Sequence, residues 1–152
     1  MQKRHDGDPT MEERWVEIKG AASGFAQDIT IGPHHLRGDE PAAVGGTDTG
    51  PTPYELLLAA LGTCKSMTAA MYARRKQWPL ESVTVRLHHA KIHAKDCEDC
   101  ETKEGKLDRI ECELTFTGPL SEEQRAQLES IANRCPVHRT LTSEIKIVSR
   151  LI

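Results

Sequence analysis

Apolar positions recur along the chain with two periods, and the change from one to the other marks out its elements. From Trp15, Val16 and Ile18 alternate with polar residues, Lys19–Gly24 supplies turn residues, and Phe25, Ile29 and Ile31 continue the apolar spacing as a hairpin would. His34–Arg37 adds a third short strand. Gly38–Thr52 is rich in Gly and Pro and reads as a long loop, uncommon enough in length to suggest function or a crossing to another subunit. Thr52-Pro53-Tyr54-Glu55 then combines an N-cap, a proline at the first helical position and a glutamate three residues after the cap. The helix it starts runs to the stop at Trp78-Pro79, and its first half is apolar nearly all round, as in a central buried helix.

Period-two alternation returns at Val83, Val85 and Leu87, and again at Ile110, Cys112, Leu114 and Phe116, which predicts two paired strands around the charged loop Ala94–Lys106. Ser121 to Gln124 is a second capping box, and Leu128, Ile131, Ala132 and Cys135 form one stripe of a helix over 121–134. Pro136 halts that helix, a short turn or helix covers Val137–Ser143, and the alternation over Ile145–Leu151 predicts a closing strand. Residues 1–13 are polar and aperiodic and read as a disordered lead, leaving 14–152 as one domain. Strands, long helix, strands, helix and strand predict an α+β fold with helices packed on an antiparallel sheet.

Composition narrows the function. The 152 residues carry a net charge of −3 without a basic block, and aromatic residues make up 4%, which argues against nucleic-acid or membrane partners. Five cysteines is an odd number, no signal-like apolar segment opens the chain, and a soluble, reducing, cytoplasmic setting is expected. Cys64 lies mid-helix among aliphatic residues, and from local pattern alone it reads as a small buried hydrophobe before it reads as a nucleophile. Lys65 is rotated about 100° from it, so any activation of Cys64 is expected from outside this helix. Cys135 precedes Pro136, and if a helical turn starts there the cysteine sits near its positive end, with His138 and Arg139 close in sequence. It reads equally well as an apolar anchor of the preceding helix. Cys64 and Cys135 are the two cysteines on helix faces that point into the core, so they can meet. Cys97 and Cys100 form a CxxC, and with His93 they are a possible though incomplete metal set; an exposed, solvated loop is the simpler reading. Cys112 alternates with core residues and reads as packing.

At GPTPYELLLAALGTC and RCPVHRTL the sequence resembles the OsmC/Ohr family, named for osmotically inducible protein C and organic hydroperoxide resistance protein. DEP with GGTDTGPTPYE, and KIHAKDCEDCETKEGKLDRIE, resemble an OsmC-like subgroup, and the likeness runs from Trp15 to the C-terminus. It implies an OsmC-like fold, with an antiparallel sheet packed on a long central helix plus a second helix, assembled as an intertwined homodimer. It implies a peroxidase of the oxidative stress response in which Cys64 is the peroxidatic and Cys135 the resolving cysteine, with no bound cofactor or metal and an external dithiol reductant, lipoyl-linked in the best-known members. The family's peroxidases add an arginine from the first hairpin and a glutamate just before the long helix. Here the hairpin turn Lys19–Gly24 lacks arginine, and the glutamate position falls on Tyr54 with Glu55 displaced by one. Glu55, Arg37 and Arg139 are the candidate supporting residues. The alternative is a non-enzymatic protein of the same fold, binding an apolar ligand in a dimer-interface pocket or zinc on the CxxC loop.

Overall fold

A computed structural model describes residues 14–152, so the disordered lead expected over 1–13 lies outside the described residues. The chain divides into two compact units, with the division inside the first turn of the long helix, between Leu56 and Leu57.

In the first unit, β1 (Val16–Gly20), β2 (Gln27–Ile31) and β3 (His34–Gly38) form an antiparallel meander in the order β1-β2-β3. Ile18 pairs with Ile29 and Ile29 with Leu36, which keeps the apolar residues of all three strands on one face. The loop after β3 folds around Asp39, which is 2% exposed. Its Oδ2 accepts from the Thr47 hydroxyl at 2.6 Å and the Thr49 hydroxyl at 2.7 Å, and from the backbone N–H of Thr49 at 3.1 Å. The Arg37 guanidinium also donates to the Thr49 hydroxyl, at 3.0 Å. A loop without regular ladders is thereby given a polar core of its own. Ile18, Phe25, Ile29, Gly38, Pro53 and Leu56 line an apolar cavity of about 390 Å³ in this unit.

The long helix α1 (Pro53–Lys76) starts as its sequence predicts: the Thr52 hydroxyl accepts from the Glu55 N–H at 3.2 Å, and the Glu55 carboxylate accepts from the Thr52 N–H at 2.7 Å. By length and composition α1 could cross a bilayer, a property it shares with core helices of soluble proteins, and it carries Lys65 near its middle.

In the second unit, β4 (Ser82–His93) and β5 (Lys106–Thr117) pair antiparallel along twelve residues each. Val83 faces Phe116, Val85 faces Leu114 and Leu87 faces Cys112. The core is Ala69 and Ala73 of α1, Phe116, and Leu128 and Ala132 of α2 (Glu122–Ala132), with Tyr72, Trp78 and Leu120 packed against it. Small residues on α1 let neighbours approach: a Cβ at Gly62 would come within 2.7 Å of the Leu87 side chain. Ser121 and Gln124 close the second capping box, and Arg125 donates to the carbonyls of Phe116 and Gly118, tying α2 to the end of β5. A last short helix, α3, spans Pro136–Leu141.

The closing strand expected over Ile145–Leu151 does not form within the chain. These residues make no ladder, and Ile147, Val148 and Leu151 are 85%, 79% and 102% exposed. Alternation shows which residues a strand would bury, but a strand also needs a sheet edge to pair with, and this segment finds none among the described residues.

The hydrogen bonds from Thr47 and Thr49 hold the Asp39 carboxyl far below the usual carboxylate range. A carboxyl lowered on folding stabilises the folded chain fully above its unfolded pKa of about 3.9 and progressively less as pH falls below it. Asp39→Asn is therefore expected to lower stability at pH 7 and to flatten the acid limb of the urea midpoint against pH. Parallel acid limbs in the two proteins would contradict this.

Candidate active site around three thiols and a buried lysine

The second unit brings together residues from α1, β5 and the junction of α2 and α3. Cys64 is half-buried on α1, Cys112 half-buried on β5, and Cys135 wholly buried between α2 and α3. Cys135 is the N-cap of α3: its backbone is extended, Pro136 follows at the first helical position, and its Sγ accepts from the His138 N–H at 3.4 Å. The turn that Pro136 predicts therefore forms, with the sulfur at its N-terminal end. The Cys64 thiol is near enough to Cys135 to push its pKa up.

Lys65 is 1% exposed. Its Nζ donates to Asn133 Oδ1 at 2.8 Å and meets His138 Nδ1 at 3.2 Å. Burial and the Lys65 charge both push the His138 imidazole below its ordinary pKa, so the ring is neutral and Nδ1 accepts from the ammonium. Among the described residues both of these partners are uncharged, which leaves the buried positive charge without a carboxylate. Its electrostatic influence reaches the sulfurs instead. Burial pushes the Cys135 thiol up; the His138 N–H pulls it down, the Cys64 thiol pushes it up, and the Lys65 charge pulls it down. Burial also raises the Cys112 thiol, against the same lysine. Such an arrangement can stabilise an anionic sulfur, because a thiolate supplies the counter-charge the ammonium lacks.

The sequence turns Lys65 away from Cys64, and that much follows from helix geometry. What it misses is the reach of the side chain and its destination: Asn133 and His138 are 68 and 73 positions away. The one local signal was a lysine inside an otherwise apolar helix, which is rarely buried without a partner.

The other candidates are engaged elsewhere. The Glu55 carboxylate closes the cap of α1. Arg37 is bonded to Thr49 and lies 3.9 Å from Asp28. Arg139 is exposed on α3 and lines a shallow cavity with Thr68, Tyr72, Arg75 and Arg134. Cys97 and Cys100 are joined in a disulfide, and the donor group around them is completed by Asp99; His93 is not a member of it.

Comparison with known proteins follows the same lines. The sequence has no significant match among curated proteins. Solved structures match along nearly the whole chain. An OsmC-like protein from Mycoplasma pneumoniae aligns with a TM-score of 0.65 at 18% identity, covering 87% of this chain and 89% of that one. An organic hydroperoxide resistance protein from Elizabethkingia anophelis gives 0.65 at 16% identity, covering 90% and 93%. An organic hydroperoxide resistance protein OsmC from Legionella pneumophila gives 0.62 at 18%, covering 88% and 92%. At these identities the likeness is one of fold. The family model described as OsmC-like protein matches residues 46–150, more than half of the chain, and the protein belongs to that family.

Proposed function

We propose that the protein is a thiol-dependent peroxidase that reduces organic hydroperoxides, with Cys64 as the attacking and Cys135 as the resolving cysteine. The observation that carries this reading is the pairing of a half-exposed Cys64 with a buried Cys135 whose Sγ accepts from the N–H of His138, the residue whose ring meets the Lys65 ammonium. A peroxide from solvent reaches the half-exposed sulfur, and the buried one is kept for the sulfenic acid that forms next to it. A redox role accords with the hydroperoxide resistance proteins that share the fold.

In the first step the Cys64 thiolate attacks one peroxide oxygen, the S–O bond forms as the O–O bond breaks, and the alkoxide takes a proton to leave as the alcohol. In the second, the Cys135 sulfur attacks the Cys64 sulfenic acid and water departs as the disulfide forms. An external dithiol, of the lipoyl-linked kind, then returns two electrons and two protons. No bound cofactor takes part. Lys65 and the N-terminal turn of α3 stabilise Cys135 as it becomes a thiolate, the work that the family's peroxidases give to an arginine at their own cysteine. The setting we assign is soluble and cytoplasmic.

A homodimer is part of the same proposal. Met67 and Met71 on α1 are 66% and 49% exposed, and the tail from Ile145 is apolar and unpaired, more bare apolar surface than a monomer is expected to leave to water.

Three outcomes are expected. Cys64→Ser abolishes turnover of cumene hydroperoxide with a dithiol reductant, whereas Cys135→Ser still consumes about one equivalent and accumulates a sulfenic acid that dimedone traps; full turnover by either variant would contradict the assignment. Lys65→Met slows disulfide formation at pH 7 about tenfold for each pKa unit of thiolate stabilisation removed and moves its pH profile to higher pH, and Lys65→Arg restores much of the profile; an unmoved profile would reduce Lys65 to a structural role. Light scattering of the eluted protein gives twice the chain mass of 16.9 kDa, and a monomer at micromolar concentration would remove the dimer.

A further inference from the structure

Of the three cysteines that the proposed chemistry leaves unused, Cys97 and Cys100 lie together at the far end of the β4–β5 hairpin. The ladder ends at the pair His93 and Lys106. Beyond it the Ala94 N–H donates to the Gly105 carbonyl at 2.9 Å, a single 3-10 turn covers Ala94–Asp96, and the Cys97 N–H donates back to the Ala94 carbonyl at 3.2 Å. Lys103 reaches across to the Glu98 carbonyl at 3.3 Å. The loop is thus closed at its base and braced across its middle, and it presents Cys97, Asp99 and Cys100 with their donor atoms within 4.8 Å of one another. Asp99 Oδ1 is 3.4 Å from Cys97 Sγ.

We propose that this loop, in its reduced form, is a binding site for a thiophilic divalent cation such as Zn²⁺, held by Cys97 Sγ, Cys100 Sγ and Asp99 Oδ1. The two cysteine Cα atoms are 5.5 Å apart. Two thiolates on one tetrahedral zinc, each at about 2.3 Å from the metal, are separated by about 3.8 Å, a span that side chains on Cα atoms 5.5 Å apart reach once the disulfide is reduced. One carboxylate oxygen supplies a third ligand of the type zinc accepts, and water takes the fourth position.

Charge separates this reading from thiol–disulfide exchange. Between Ala94 and Gly105 the chain carries Asp96, Glu98, Asp99, Glu101 and Glu104 against Lys95 and Lys103. That excess of carboxylates repels an incoming thiolate and attracts a dication. In this structure the two sulfurs are bonded to each other; since a sulfur in a disulfide cannot serve as a thiolate ligand, the site exists only after reduction, and oxidation of the pair withdraws it. Sequence spacing drew attention to His93 as the third ligand, but the backbone turn after β4 brings the side chain of Asp99 back to the sulfurs instead.

The test is titration of the reduced, metal-free protein with Zn²⁺, followed by calorimetry and native mass spectrometry, and with Co²⁺ followed by its thiolate charge-transfer absorption. One metal per chain is expected, together with the Co²⁺ band. The Cys97→Ser/Cys100→Ser variant and the wild type oxidised at Cys97–Cys100 should bind none, and Asp99→Asn should bind at least ~10-fold more weakly. Cys64→Ser/Cys135→Ser should bind as the wild type does, which keeps this result separate from that of the peroxidase assay. Absence of binding by the reduced protein, retention in the Cys97→Ser/Cys100→Ser variant, loss in the Cys64→Ser/Cys135→Ser variant, or an unchanged affinity in Asp99→Asn would each overturn the proposal.

Discussion

An ammonium group taken out of water must be met by other polar groups, and at Lys65 that requirement organises the second unit. Burial of an ion costs several kcal/mol unless hydrogen bonds and charge repay it. Asn133 at the end of α2 and His138 in α3 provide the hydrogen bonds, so α1 and the α2–α3 junction are held in register by one side chain. The same junction carries Cys135. A neutral imidazole and an amide oxygen satisfy the donors of Lys65 without cancelling its charge, and the remaining electrostatic demand falls on the neighbouring sulfurs.

The position of Cys135 adds a second influence of the same sign. As the N-cap of α3 it takes a backbone N–H that would otherwise have no partner within the helix. Burial works against both influences, and its balance with them keeps the Cys135 thiol above its ordinary value in the resting protein. A resolving cysteine needs just such a compromise: it stays protonated and unreactive while its partner meets the peroxide, yet an anion forming there finds a charge and a dipole already in place. Reactive cysteines served by a cation and a helix N-terminus are a general solution, and here the cation comes from the residue next to Cys64.

Much of this fold could be read from the sequence because it is fixed locally. Both capping boxes, at Thr52 and Ser121, place all their hydrogen-bonding groups within four residues, and the structure forms both. That the two runs pair follows from their period-two alternation, and the structure sets the register, with Val85 opposite Leu114 and Leu87 opposite Cys112. What could not be read depends on distant partners. Lys65 looked idle because a helical wheel shows direction without reach, and its acceptors enter from the far end of the chain. The alternation at Ile145–Leu151 describes a face to be buried, and no edge within the described chain receives it. On the CxxC loop, spacing along the sequence favoured His93, whereas the closing turn favours Asp99.

Mapping of the cysteine linkages by mass spectrometry after one equivalent of an organic hydroperoxide, with thiols blocked at the moment of quenching, tests the central claim most directly. The arrangement around Lys65 predicts that Cys64 and Cys135 are joined to each other within one chain while Cys112 remains a free thiol. A peroxide-treated protein in which Cys64 and Cys135 are both still free, or in which Cys64 is joined to Cys112 instead, would contradict it.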